Sequence, residues 1–135
     1  MATFEKGQTF LDLRAINFYG DKGKYFIALS DAEYDDYLIV CFVMNTEKRM
    51  DKCHLHCNRE LQKFIIKPNT FSFIKDYTAI MLSLPCCYYL KEMYEPRIRL
   101  LDIADETLCR QIKNCIDWNE IPPKFKFLIK QSFKK

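Results

Sequence analysis

Lys24 and Thr46 enclose the part of the chain that is best suited to chemistry. Lys24 begins one apolar run, residues 24–30, and Thr46 ends a second, residues 37–46. Both runs are rich in β-branched and aromatic residues, which favours strands, and a short acidic stretch joins them. If the two strands pair, an ammonium group and a hydroxyl lie at one edge of a small sheet, an arrangement suited to a phosphate backbone. Two ordinary strand-end residues would give the same pattern.

The segment Cys53–Cys57, with the sequence CHLHC, is the second candidate for chemistry. In a strand its two cysteines would face one way and its two histidines the other, so they could not share one metal ion. Structural zinc sites use pairs spaced by about two to four residues with a second pair elsewhere, and no convincing second pair follows. We therefore predict no metal site. A nucleophilic cysteine–histidine pair stays open, although the favoured interpretation is a strand with its cysteines buried and its histidines exposed.

Several catalytic motifs are missing from the sequence. Its 3 glycines are isolated, which excludes the phosphate loop and the dinucleotide fingerprint, and no Gly-x-Ser-x-Gly motif occurs. The acidic residues Asp31, Asp35 and Asp36 could hold a metal ion, but a solvated turn explains them better. We therefore expect no cofactor.

Length and composition indicate one domain, residues 1–135, with a substantial core, because hydrophobic residues make up 49% of the 135 residues. The net charge of +3 is compatible with binding an anion without requiring a nucleic acid. The N-terminus has no apolar signal core, and no apolar run approaches the length that spans a membrane. We therefore predict a cytoplasmic protein, with no membrane partner, whose 7 cysteines are reduced.

The pattern of apolar residues predicts a mainly β (α+β) fold with one or two C-terminal helices. In the first strand, Leu11 and Leu13 are expected on the apolar face, and Asp12 and Arg14 on the polar face. The β region covers about residues 6–100, and the helices cover about residues 104–133. The predicted strands are Gln8–Phe18, Tyr25–Ser30, Tyr37–Met44, Cys53–Cys57 and Thr78–Leu84, and the predicted helices are Ala104–Ile116 and a basic amphipathic helix, Phe125–Phe133.

The order of these motifs resembles the MazF/PemK-like toxin family over about residues 6–116. Lys6–Leu13 is similar to the family's opening Arg/Lys-Gly-Asp and Asp-Leu strand, and Lys24–Ser30 to its Arg-Pro strand that ends in Ser. Tyr37–Thr46 resembles the next strand, which ends in Thr or Ser. Ser72–Leu82 is similar to the later segment with Lys/Arg-Asp-Ser, and Asp105–Ile116 corresponds to a C-terminal helix.

The resemblance implies a small SH3-like antiparallel β barrel that forms a homodimer. It also implies a metal-independent endoribonuclease that cleaves single-stranded RNA and is held inactive by an antitoxin protein. By position, Lys24 and Thr46 would act on the scissile phosphate. Lys24 replaces the family's arginine and lacks its two-pronged grip on phosphate, Tyr25 replaces a proline, and about a dozen residues are inserted near 58–70.

The corresponding mechanism uses the RNA 2′-hydroxyl as nucleophile. His54 or His56 has the pKa range of a general base, and bases could stack on Tyr19 or Tyr25. The residues expected to track the RNA strand are Arg14, Lys22, Lys48 and Arg49.

A different class of function is also open. The same barrel could be a non-catalytic binding module for a protein or RNA partner, which the missing arginine favours. A protein partner would then use either the inserted segment, residues 58–70, or the basic C-terminal helix.

Overall fold

The computed structural model describes residues 4–14, 23–33 and 37–134, which form a sheet followed by two helices. The prediction of a mainly β fold with C-terminal helices is confirmed. The strands are β1 (Gln8–Asp12), β2 (Lys24–Ala28), β3 (Leu38–Thr46), β4 (His56–Asn58), β5 (Lys63–Ile66), β6 (Thr78–Tyr89) and β7 (Ile98–Ile103), and the helices are α1 (Glu106–Cys115) and α2 (Pro123–Ser132).

All seven described strands belong to one antiparallel sheet with the order β4-β5-β6-β3-β2-β1-β7. The long strand β6 pairs with β3 on one side, and only its first four residues pair with β5 on the other. Pro85 lies beyond the end of β5, where a strand tolerates a residue without an N–H. The described strands leave β4 and β7 as the two edges, so the barrel closure expected from the resemblance is not seen.

The sheet has an apolar core on each face, because β3 is buried on both sides. Phe42 and Met44 point to the helix face, where α1 and α2 pack. Cys41 and Val43 point to the opposite face, which the turn 90–94 covers. We call these the helix face and the turn face of the sheet.

The first strand is buried on the face that the sequence pattern predicts to be polar. Phe10 and Asp12 are fully buried, whereas Leu13 is 41% exposed, so the predicted orientation of this strand is wrong. The buried Asp12 carboxylate accepts hydrogen bonds from the Tyr88 hydroxyl at 2.7 Å and from the Arg97 guanidinium at 2.9 Å. These partners come from distant parts of the chain and offset the cost of burying the charge. The strand ends at Asp12, and residues 15–18 of the predicted strand lie outside the described residues.

The edge strand β7 is not predicted by the sequence pattern. Its residues alternate irregularly between apolar and charged types, and most of them remain exposed or half-buried. A strand with no buried face has no period of two to detect. β7 is recognised as a strand only in the structure, where it pairs with β1.

Both helices form where they are predicted. Asp105 caps α1 by accepting a hydrogen bond from the Leu108 N–H at 2.8 Å, and Pro123 occupies the first turn of α2. Gly7, just before β1, accepts a hydrogen bond of 2.8 Å from the Ala104 N–H near the start of α1. Its φ of +93° suits glycine, and a Cβ there would lie 2.7 Å from the carbonyl oxygen of Ala104.

The CHLHC segment forms a much shorter strand than predicted. Within this segment only His56 and Cys57 of β4 pair with β5. Cys57 is joined to Cys115 of α1 by a disulfide. The prediction that every thiol is reduced is therefore wrong for this pair. Burial raises the pKa of Cys86 to about 12 and that of Cys109 to about 11, so these thiols remain protonated.

Candidate site at the ends of the strands

The antiparallel topology brings most of the predicted site residues to one end of the sheet. β1 and β3 end there, and β2 and β6 begin there, because Asp12 pairs with Lys24 and Thr46 with Thr78. We call this group the strand-end cluster, and its members are Arg14, Lys24, Thr46, Lys48 and Arg49. Lys22, which is predicted to belong to it, lies outside the described residues.

The two residues predicted to act on one phosphate do not face each other. Residues two positions apart in a strand share a face. Lys24 therefore lies on the turn face with Phe26, whereas Thr46 lies on the helix face with Met44. The register explains this separation: Tyr25 pairs with Met44, so the continued register sets Lys24 opposite the residue before Thr46. Lys24 and Thr46 therefore lie at the same end of neighbouring strands but on opposite faces of the sheet.

Three cations of the cluster form no salt bridge with any described carboxylate. Among the described residues, no salt bridge involves Arg14, Lys24 or Lys48. Arg14 and Lys48 are exposed, and Lys24 is half-buried. Arg49 differs, because its guanidinium lies 3.3 Å from the exposed carboxylate of Asp51, a contact that is weak in water. This end of the sheet therefore carries three cations that form no salt bridge among the described residues.

The backbone of the cluster is fixed by buried polar contacts. The Arg14 N–H donates a hydrogen bond of 2.9 Å to Asp12, whose other carboxylate oxygen is bound by Tyr88 and Arg97. Burial raises the pKa of Tyr88 well above its usual value, so its hydroxyl remains a donor. Arg14 also lines a surface pocket of about 540 Å³ together with Leu13, Glu95, Pro96 and Arg97.

The loop that carries Lys48 and Arg49 is tied to the sheet by an ion pair. The Lys63 ammonium of β5 lies 2.9 Å from the Glu47 carboxylate, and this hydrogen bond lowers the pKa of Glu47. The Glu47 N–H also donates to the Tyr77 carbonyl at 2.8 Å, next to the start of β6. These contacts hold the loop beside the exposed ring of Tyr77.

The predicted general base does not lie beside Lys24. His54 lies near the loop of Lys48 and Arg49, because the thiol of the preceding residue, Cys53, donates to the Arg49 carbonyl at 3.5 Å. Both His54 and His56 are exposed, in agreement with the prediction for the histidines of this segment. His54 precedes the edge strand β4, where its N–H and carbonyl bond the side chain of Asn58. The ring of His56 stacks on Phe64 at 5.6 Å. Because β5, β6 and β3 separate β4 from β2, the structure does not bring either histidine beside Lys24.

Of the two tyrosines predicted to stack on RNA bases, only Tyr25 lies within the described residues. Tyr25 points to the helix face and stacks on Phe73 with ring centroids 4.7 Å apart, so one side of its ring is covered. Tyr19 lies outside the described residues. Tyr77 is 40% exposed beside the cluster. In the sequence this ring is marked only by its position next to the start of a predicted strand.

Within the described residues, no group of three histidine, cysteine or acidic side chains is arranged to hold a metal ion. None of the helices in that part of the chain is both long and apolar enough to cross a membrane.

No protein-family model matches the chain, and no curated protein or solved structure matches it either. The resemblance to the MazF/PemK-like toxins therefore stays a prediction from the sequence.

Proposed function

We propose that this protein is a non-catalytic module that binds single-stranded RNA at the strand-end cluster. The observation that carries the proposal is the set of three cations, Arg14, Lys24 and Lys48, at one end of the sheet, none of which forms a salt bridge among the described residues. Cations that have no carboxylate partner are available to phosphates, and each phosphate they neutralise releases a counterion. The proposal is the second of the two function classes that the sequence leaves open.

A single strand suits this surface better than a duplex. Bases of a single strand can turn outward and stack on an aromatic ring, and the 40% exposed Tyr77 lies beside the loop that carries Lys48. The cluster therefore combines the two elements of single-strand recognition, a charged track and a stacking surface.

Cleavage of the bound RNA is the alternative that the resemblance predicts. It requires the Lys24 ammonium and the Thr46 hydroxyl to reach the same phosphate, and their positions on opposite faces favour binding without cleavage. The antitoxin partner, the homodimer and the SH3-like closure of the sheet are further predictions of the resemblance and are not needed for RNA binding.

Fluorescence anisotropy with a short unstructured oligoribonucleotide tests the binding. We expect Arg14→Gln combined with Lys48→Gln to weaken binding and to reduce the slope of log K against log salt by about 1.4, since each lost phosphate contact on a single strand removes about 0.7. The matched control combines Lys91→Gln with Arg110→Gln, two exposed cations away from this end of the sheet. No binding at low salt, or equal effects of both pairs, would reject the proposal.

A cleavage assay with the same RNA distinguishes binding alone from binding with cleavage. RNA is incubated with the wild-type protein in EDTA and examined on a denaturing gel. Intact RNA is the expected result. Metal-independent cleavage that both Lys24→Ala and Thr46→Ala abolish would instead establish the nuclease that the resemblance predicts.

A further inference from the structure

Helix α2 presents a row of lysines to solvent on the side away from the core. Ile129 is fully buried against the sheet, whereas Lys130 and Lys134 are exposed and Lys126 is half-buried. Lys126 and Lys130 lie about 6 Å apart along the helix axis, and Lys134 follows two residues after the end of α2. The row therefore continues past the end of the helix.

This charge is not neutralised within the described residues. No salt bridge involves a lysine of α2, and residues 121–134 contain no Asp or Glu. The positive surface continues onto α1, because the Lys113 ammonium lies 5.0 Å from the ring of Phe133 and the Lys130 ammonium 4.9 Å from the ring of Trp118. Phe133 belongs to the core of the helix face, and Trp118 packs against that core.

An exposed aromatic ring lies beside the lysine row. Phe127 is 63% exposed, the largest exposure of any large hydrophobic side chain among the described residues. It borders a depression of about 310 Å³. The residues that line this depression are Pro123, Lys126, Phe127, Lys130, Gln131 and Lys134. On its other side Phe127 borders a second pocket, whose lining includes Asp31 and Glu33, so the cations lie along one side of the ring. A ring with cations along one side can stack on a base while the cations contact phosphates.

We infer that α2 binds a single-stranded polynucleotide through a surface formed by Lys126, Phe127, Lys130 and Lys134, which we call the α2 face. The lysine row supplies contacts to successive phosphates, and Phe127 supplies a platform for a base. An acidic protein segment would match the charge, but the exposed ring favours a partner whose bases present flat π-faces.

The α2 face lies at the other end of the sheet from the strand-end cluster. The hydroxyl of Ser132 in α2 accepts a hydrogen bond of 2.8 Å from the Asp31 N–H, which follows the end of β2. The nine residues of β3 separate this end from Thr46, a distance of about 30 Å along the strand. The inference therefore goes beyond the proposed function, since it adds a second binding surface that does not require the first.

Two sets of variants test the inference with fluorescent oligouridine RNA and oligothymidine DNA as probes. We expect Lys126→Gln combined with Lys130→Gln to reduce the salt slope by about 1.4, and Phe127→Ser to weaken binding about tenfold. The matched control combines Lys75→Gln with Lys91→Gln, which removes the same charge from exposed sites off α2. A loss of affinity for either probe that is confined to the α2 variants supports the inference.

Three results would overturn it. The control pair could weaken binding as much as the α2 pair, the Phe127→Ser variant could bind like the wild type, or polyglutamate could displace the RNA at equal charge concentration. The last result would assign the α2 face to an acidic protein segment.

The two surfaces fail independently. If only Arg14→Gln combined with Lys48→Gln weakens binding, the inference is wrong and the proposed function stands. If only the α2 variants do so, the proposed function is wrong and the inference stands.

Discussion

Removing the Cys57–Cys115 disulfide should lower the stability of this protein substantially. The bond joins the edge strand β4 to the last residue of α1 across a sequence separation of 58 residues. Its main effect is to restrict the unfolded chain, and the loop-closure relation for about 58 residues gives a loss of about 4 kcal/mol when it is reduced. For a chain of this size that loss corresponds to a fall of about 15 °C in the melting temperature.

The native structure should survive the loss of the disulfide, because other contacts hold the same two elements together. The Arg59 guanidinium donates to the carbonyls of Asn114 and Ile116 at the end of α1. The Gln62 side chain accepts a hydrogen bond of 2.9 Å from the Asp117 N–H. Reduction should therefore change the free energy of unfolding without changing the folded-state circular dichroism spectrum.

Urea denaturation of the oxidised protein, the reduced protein and the Cys57→Ser/Cys115→Ser variant measures the effect. The variant should match the reduced wild type, and both should fall below the oxidised protein. Cys53→Ser, which removes a free thiol from the neighbouring loop, is the control and should be close to neutral. Equal midpoints for oxidised and reduced wild type, or seven titratable thiols under oxidising conditions, would refute the reasoning.

Two further predictions concern the supports of the strand-end cluster. Tyr88→Phe removes a hydrogen bond to the buried carboxylate of Asp12 and should cost about 2 kcal/mol in urea denaturation, whereas Tyr77→Phe should be neutral; equal midpoints for the two variants would contradict this. Lys63→Gln should raise the pKa of Glu47 toward its ordinary value. Because folding lowers the Glu47 pKa, the wild-type pair stabilises the protein above the ordinary glutamate pKa, and this contribution is lost as pH falls through the folded-state pKa. NMR titration of Glu47 in both proteins checks the shift, and an unchanged pKa in the variant would argue against it.

The position of the candidate site was predictable from the sequence, but its geometry was not. Strand ends can be located from apolar runs, and an antiparallel arrangement then brings Arg14, Lys24 and Thr46 to one end of the sheet. The face on which each side chain lies depends on the register of pairing, since a shift of one residue reverses every face. The pairing of Tyr25 with Met44 is set by contacts across the whole sheet, and it separates Lys24 from Thr46.

The buried face of β1 illustrates the same limit. An aspartate in a strand normally indicates the solvent side, so the pattern around Asp12 predicts the wrong orientation. Its burial depends on Tyr88 and Arg97, which lie 76 and 85 residues further along the chain. A local pattern contains no information about partners at that distance.

The sequence by itself determined the elements whose signals are local: the apolar strand β3, the helix α1 and the basic helix α2. These depend on residues two to four positions apart along the chain. Only the tertiary structure decided the edge strand β7, the Cys57–Cys115 bond and the faces of the strand-end cluster. Each of these depends on which distant segments pair, and in what register, and that choice is made by the packing of both cores at once.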